Sequence, residues 1–111
     1  ETQTANQTDW GQIVGLYDVL LRMEPSPVVA LNRAVAVAMH SGYEQGLALV
    51  DELLTLPAMQ DYYLAHAARA DLCRRLHRLE EARTSYLAAL ARTQLEPERR
   101  FLERRLSEIA S

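Results

Sequence analysis

The chain has 111 residues, of which 49% are hydrophobic, a size that suits one domain with a core of its own rather than two. Its 12 basic and 15 acidic residues give a formal net charge of −3, so no overall positive field would draw it onto nucleic acid or an anionic membrane. A single cysteine excludes an internal disulfide and fits a reducing compartment, and no apolar run approaches the roughly 20 residues that cross a bilayer. We therefore expect a cytoplasmic domain without membrane contact.

Alanine and leucine are abundant and β-branched residues are few, which favours helices over sheets. Capping residues, prolines and glycines delimit six predicted helices, at about 9–23, 27–41, 44–56, 61–76, from 80 onwards, and 97–109. Asp9 and Ser26 can accept hydrogen bonds from free amides at helix starts, and Pro27 fits a first helical turn. Gly42 can take the left-handed conformation that closes a helix, and His77 marks a break before residue 80.

Three of these helices carry the same pattern of packing residues. Offsets of 0, 3, 7 and 10 place the following residues on one stripe of each helix: Trp10, Ile13, Tyr17 and Leu20; Tyr43, Gly46, Val50 and Leu53; Leu79, Ala82, Tyr86 and Ala89. The stripes start 33 and then 36 residues apart, which matches a unit of two helices and two turns. Any single amphipathic helix shows such spacing, so the pattern is informative because three helices share it. We expect neighbouring helices to pack against all three stripes.

The third stripe also resembles a known repeat. The residues that match the second-helix signature of a tetratricopeptide repeat are Leu79, Glu80, Glu81, Ala82, Tyr86 and Ala89. Pro25 lies where such a repeat often closes, and the preceding helices are rich in alanine, which lets paired helices approach closely. The predicted fold class is therefore all-α, an antiparallel helix-hairpin stack of about six helices that contains a half repeat, two full repeats and a capping helix.

A more specific resemblance rests on several short stretches. They are TDW at 8–10, LYD at 16–18, PSPVVALNRAVAVA at 25–38, GLAL at 46–49, ARADL at 68–72, RRL at 74–76, ERRFL at 98–102 and RRL at 104–106. With these stretches the chain resembles the C-terminal extension of a subgroup of bacterial extracytoplasmic-function sigma factors. The likeness covers about residues 8–109, and the stretch 25–38 is the most specific part of it.

The resemblance implies a non-catalytic regulatory domain of a protein that takes part in transcription initiation. Residues 1–8 would be a polar linker from sigma domains that lie upstream, and residues 9–111 would form the tetratricopeptide-like domain. The implied partners are the sigma domains of the same polypeptide, RNA polymerase core, or both, and promoter DNA would be contacted only through the upstream domains. A stack with an uncovered end helix could also form a homodimer.

The residues alone suggest where such a domain would bind. Asn32 and Arg33 interrupt the otherwise apolar helix 28–39, and in tetratricopeptide-like stacks the first helices line a concave groove. The candidate protein-interaction groove therefore contains Asn32 and Arg33 with three residues of the matching helix, Arg69, Asp71 and Arg74. The alternative is structural, because Asn32 and Arg33 could satisfy the backbone of the turn at 25–27 or pair with Asp71 or Glu24.

Other constellations favour a domain without metal, cofactor or catalysis. Cys73 and His77 are four residues apart and could begin a metal site, but His40 and His66 lack ligand spacing to them. We expect a buried thiol and a turn histidine instead. No nucleophile elbow and no phosphate-cradling glycine loop occurs in the sequence, so we expect no enzyme activity. The alternative function is a free-standing helical-repeat module that binds a peptide or ligand in its groove.

The last predicted helix carries the main basic cluster. Its arginines are Arg99, Arg100, Arg104 and Arg105, and glutamates at three- or four-residue spacings from them are Glu96, Glu103 and Glu108. The cluster could contact nucleic acid or an acidic surface, but this spacing favours ion pairs along the helix. We expect a solvated, self-paired face.

Overall fold

The computed structural model describes residues 8–110, and within them every regular element is a helix. Seven helices occur in this part of the chain: α1 (Trp10–Met23), α2 (Pro27–Ser41), α3 (Tyr43–Leu53), α4 (Pro57–Gln60), α5 (Tyr63–Arg75), α6 (Leu79–Leu90) and α7 (Glu96–Ala110). The predicted all-α helix stack is confirmed. The additional helix is the single turn α4, which lies between the predicted third and fourth helices. The predicted linker 1–8 lies outside the described residues except for Thr8.

The helix ends follow from local chemistry. The Asp9 carboxylate accepts a hydrogen bond from the Gln12 amide at 3.0 Å, and the Ser26 hydroxyl accepts one from the Val29 amide at 3.3 Å, as N-caps do. Gly42 has a φ of 127° between α2 and α3, a conformation that a side chain would disfavour. The predicted caps at these three positions are confirmed.

His77 closes α5 where a glycine is more usual. Its φ of 60° is positive, and the Arg78 amide donates to the Cys73 carbonyl at 2.8 Å while the His77 amide donates to the Arg74 carbonyl at 3.0 Å. These two bonds satisfy carbonyl groups that a helix end otherwise leaves unpaired. The predicted break at His77 is therefore a tight helix terminus.

The long helices pack in chain order. α1 packs on α2, α2 on α3, α3 on α5, α5 on α6 and α6 on α7, and α2 also contacts α5. Two complete hairpins result, α2–α3 and α5–α6, with α1 before them and α7 after them. Because α2, α5 and α7 occupy the same place in successive units, they can share one face of the stack.

The core lies between the two hairpins. Val50 of the second stripe and Ala82 of the third are fully buried, as is Cys73. These two stripes pack as expected except at Leu79, the first residue of the third stripe, which is 44% exposed. Gly46 is required where α3 crosses α2, because a Cβ there would lie 2.8 Å from the Ala38 Cα and 2.9 Å from the Ala34 carbonyl oxygen.

The first stripe departs from the prediction. Among the described residues α1 contributes no fully buried side chain, Trp10 is only partly buried, and Leu20 is 47% exposed. The expectation that Leu20 packs like its counterparts in α3 and α6 is wrong. The physical reason is that α1 packs on α2 but has no first helix of its own unit within residues 8–110.

Candidate functional site

A groove runs across the face that α2, α5 and α7 share. It encloses about 430 Å³, which falls within the range of small-molecule pockets. Three large apolar side chains on its walls stay substantially exposed, Val35, Leu64 and Phe101. The lining residues are Leu31, Asn32, Val35, Leu64, Ala67, Ala68, Asp71, Arg75, Tyr86, Phe101 and Arg105. Apart from Tyr86 of α6, these lining residues belong to α2, α5 and α7.

An ion-pair cluster holds one side of this groove. The Asp71 carboxylate accepts hydrogen bonds from Arg74 at 2.6 Å and from Arg75 at 2.9 Å, and Arg75 also donates to the Tyr43 hydroxyl at 3.1 Å. Burial alone would raise the pKa of Asp71, but the two arginine hydrogen bonds outweigh it and lower the pKa below its ordinary value. Asp71 is therefore ionised and fixed in place.

Two residues at the groove have polar atoms without hydrogen bonds. Tyr86 is 1% exposed, and neither its hydroxyl nor the Arg105 Nε has a hydrogen-bond partner among the described residues. Burial raises the pKa of Tyr86, and the neighbouring Arg74 guanidinium, whose buried Nε also has no hydrogen-bond partner among the described residues, opposes that rise. Buried polar atoms are normally paired, so these two atoms can serve a bound group.

The five residues predicted for the groove do not come together. Asn32 and Asp71 line it, whereas Arg33 lines a smaller cavity of about 170 Å³ between α1, α2 and α3. Neither Arg69 nor Arg74 is among the residues that line the groove within the described chain. Arg74 takes part indirectly, because it holds Asp71.

Arg33 and Arg69 instead join successive units. The Arg33 Nε donates to Asp18 Oδ1 of α1 at 2.6 Å, and the Arg69 Nε donates to Asp51 Oδ1 of α3 at 2.6 Å. The two arginines are 36 residues apart, and each aspartate lies eight residues after the start of its own stripe. The pair is thus one contact made twice, and we call it the inter-repeat ion pair. The ion-pair partners suggested for a structural Arg33 were Asp71 and Glu24. The observed partner is Asp18.

Another exposed surface lies on α1. Its outer side carries Leu16, Val19, Leu20 and Met23, which recur at i, i+3, i+4 and i+7 and so form one apolar stripe. Leu16 is 59% exposed and Met23 is 76% exposed. A Cβ added at Gly15, beside this stripe, would have no described atom within 4 Å. We call these five residues the α1 outer face. The sequence shows this spacing, but the prediction placed Leu20 in the first packing stripe.

The remaining predicted features are local. Cys73 is buried and burial raises the pKa of its thiol, as expected for a packing cysteine. On α7, Arg100 lies 3.7 Å from Glu96 and Arg105 lies 3.0 Å from Glu108, so the predicted ion pairing along this helix is confirmed for these two arginines. No group of three or more potential metal-ligating side chains occurs among residues 8–110.

The chain is similar to an uncharacterized protein of Rhizobium meliloti (strain 1021), with 40% identity over 105 residues. The match covers 95% of this chain and 24% of that protein, so the chain spans about a quarter of its relative's length. No protein-family model matches the chain, and no solved structure matches it significantly. None of the helices formed by residues 8–110 combines the length and apolarity needed to cross a bilayer.

Proposed function

We propose that the chain is a non-catalytic regulatory domain of an extracytoplasmic-function sigma factor, and that it docks onto helical domains of the same polypeptide through the α1 outer face. The resemblance of the stretch 25–38 and its companions supports the sigma-factor part of the proposal. The exposed apolar stripe on α1 is the observation that supports docking.

The internal repeat indicates what kind of element covers this stripe. Leu16 and Leu49 occupy the same position in their units, as do Leu20 and Leu53. Leu49 and Leu53 are partly buried and pack against the core, because α3 has α2 as the first helix of its unit. Leu16 and Leu20 have no such helix within the described residues. We infer that a helix resembling α2 or α5 seats against them.

Gly15 supports close packing at the same place. A glycine inside a helix costs roughly 1 kcal/mol relative to alanine, and Gly46 offsets that cost by letting α2 and α3 approach. Gly15 meets no described atom, so the packing within residues 8–110 gives no reason for it. An approaching helix would give one, since small residues allow close helix contact.

The polar stretch before α1 does not provide the missing apolar surface. Residues 1–8 contain one apolar residue, Ala5, too few for the buried face of an amphipathic helix. The docked helix would therefore come from a more distant domain, which under this proposal is a sigma domain. A regulatory contact of this kind would bring the domain against the parts of the protein that contact RNA polymerase.

Transcription with purified RNA polymerase tests this proposal in the complete sigma protein that carries the chain. We expect Leu16→Gln combined with Leu20→Gln to change promoter-dependent transcription at least severalfold, because polar side chains weaken an apolar contact. The matched control is Leu79→Gln, since Leu79 is also a leucine of similar exposure but lies on α6.

Melting curves separate docking from stability. Both variants replace exposed leucines, so neither should lower the melting temperature by more than a few degrees. Normal transcription from the α1 variant, or an equal change in the Leu79 control, would refute the proposal. So would a dimer of residues 1–111 that dissociates on Leu20→Gln, because a second copy would then cover the stripe.

A further inference from the structure

A third arginine, Arg105, occupies the same position as the arginines of the inter-repeat ion pair, but its unit lacks the matching aspartate. Arg33, Arg69 and Arg105 lie at intervals of 36 residues, on α2, α5 and α7. The aspartates that receive the first two, Asp18 and Asp51, lie eight residues into their stripes. The same position in α6 is Leu87, which cannot accept a hydrogen bond. The sequence therefore keeps the arginine in the last unit and omits its carboxylate.

Arg105 adopts a different set of contacts in consequence. Its Nη1 donates to Glu108 of its own helix at 3.0 Å, and its guanidinium lies 5.1 Å from the centre of the Phe101 ring. The Nε, which binds the aspartate in the other two arginines, is buried and has no partner among the described residues. Arg105 lines the groove, whereas Arg33 and Arg69 are not among the lining residues in the described chain.

The surroundings of Arg105 favour an anion. Tyr86 lines the same groove, and its buried hydroxyl also lacks a hydrogen bond within residues 8–110. Arg75 adds a second cation to the lining, where it is bonded to Asp71, the only carboxylate among the described lining residues. A carboxylate bound here would receive charge-assisted hydrogen bonds, which are about twice as strong as neutral ones.

We propose that the groove is a binding site for a small organic acid, with the carboxylate at Arg105 and Tyr86 and the apolar body against Val35, Leu64 and Phe101. The carboxylate takes the place that an aspartate holds in the two preceding units. A cavity of about 430 Å³ suits a small molecule. This site is separate from the α1 outer face, so it stands whether or not that face docks onto another domain.

The first measurement is a titration of residues 1–111 with hexanoate and with phenylacetate, followed by nuclear magnetic resonance of the labelled backbone amides. We expect saturable shifts in α2, α5, α6 and α7 around the groove. Hexylamine and hexanol, which have apolar bodies but no carboxylate, serve as controls and should cause no saturable shifts there. Backbone spectra of each variant report directly whether it remains folded.

Substitutions at position 87 give the sharpest test, because Leu87 is not part of the groove lining. We expect Leu87→Asp to restore the inter-repeat ion pair, engage the Arg105 Nε, and weaken binding about tenfold or more. Leu87→Asn has nearly the same shape without the charge and should leave binding within about twofold. Arg105→Gln should weaken binding as strongly as Leu87→Asp.

Tyr86→Phe provides an independent check. It removes a buried hydroxyl that has no partner, so the fold should keep its melting temperature, while carboxylate binding should fall severalfold. Absence of saturable binding by both acids, or binding that Arg105→Gln and Leu87→Asp leave unchanged, would overturn the proposal. Binding of a short acidic peptide at the same amides at least a hundredfold tighter than either acid would also overturn it, since the site would then serve a protein partner.

Discussion

Arg69 shows how a charged side chain can be structural in a stack of helices. Its guanidinium donates to Asp51 at 2.6 Å, to Ser85 at 2.8 Å and to Glu81 at 3.0 Å, so one residue of α5 joins α3 and α6. Arg33 makes the equivalent bond to Asp18 but no others that the structure records. From the sequence both appeared as polar interruptions of an apolar helix, a pattern that groove residues and structural ion pairs share.

The difference between these two arginines gives a stability prediction. Arg69→Met keeps the length of the aliphatic stem but leaves the buried Ser85 without its charged donor, so we expect a loss of about 2–3 kcal/mol in the free energy of unfolding. Arg33→Met breaks one partly exposed pair and should cost about 0.5–1 kcal/mol. Urea unfolding of both variants measures this. Equal losses would show that the additional bonds of Arg69 contribute little.

Asp71 gives a prediction about acid stability. Its pKa lies below the ordinary value of 3.8 in the folded chain, so its ionised form contributes stability above the unfolded-state pKa. That contribution is lost as the pH falls through the folded-state pKa. We expect Asp71→Asn to be less stable than the parent at neutral pH and to lose less stability below about pH 4. Urea unfolding at a series of pH values tests this, and parallel acid profiles would contradict it.

The ends of the helices were easier to predict from the sequence than the contacts that each helix makes with other helices. Asp9 and Ser26 each accept a hydrogen bond from one neighbouring amide through the side chain, and Gly42 and His77 act through their own backbone conformation. The sequence around each of them was therefore sufficient. The α1 outer face depends on which helices are present to cover it, and a periodic stripe does not say that. The turn α4 was not predicted, because Pro57 follows the end of the third predicted helix at 56 and a proline there also suits the first turn of another helix.

Two glycines allow the helix contacts to be tested as a pair. Gly46→Ala places a Cβ against Ala38 and the Ala34 carbonyl, so we expect a loss of about 1–3 kcal/mol from overpacking. Gly15→Ala meets open space in residues 8–110 and should gain about 0.5–1 kcal/mol from helix propensity. Thermal melts of residues 1–111 distinguish the two. Destabilisation by Gly15→Ala would indicate that α1 is already covered in this chain.

In the molecule as a whole, the order in which the helices pack could be predicted, because each unit contacts mainly its neighbours. The repeat spacing of 33 and 36 residues therefore specified the stack and the shared face of the first helices. The groove chemistry could not be predicted in the same way, because Arg105 differs from Arg33 and Arg69 only through Leu87 on another helix. The interval of 36 residues was the available signal, and it becomes informative once the inter-repeat ion pair is known.

Such a stack should not be uniformly stable along its length. Within the described residues α1 has no fully buried side chain, whereas α5 and α6 each bury several. We therefore expect the amides of α1 to exchange with solvent through a local opening of lower free energy than the global unfolding that exposes α5 and α6. Hydrogen exchange of residues 1–111, resolved by residue, measures both free energies.

The two inter-repeat ion pairs supply matched variants for this experiment. Asp18→Asn weakens the contact between α1 and α2, so exchange should accelerate in α1 and change little in α5 and α6. Asp51→Asn weakens the contact between α3 and α5, at the middle of the stack, and should lower protection throughout the hairpins. If Asp18→Asn lowered protection equally in every helix, the stack would unfold as one unit and the end helix would not open independently.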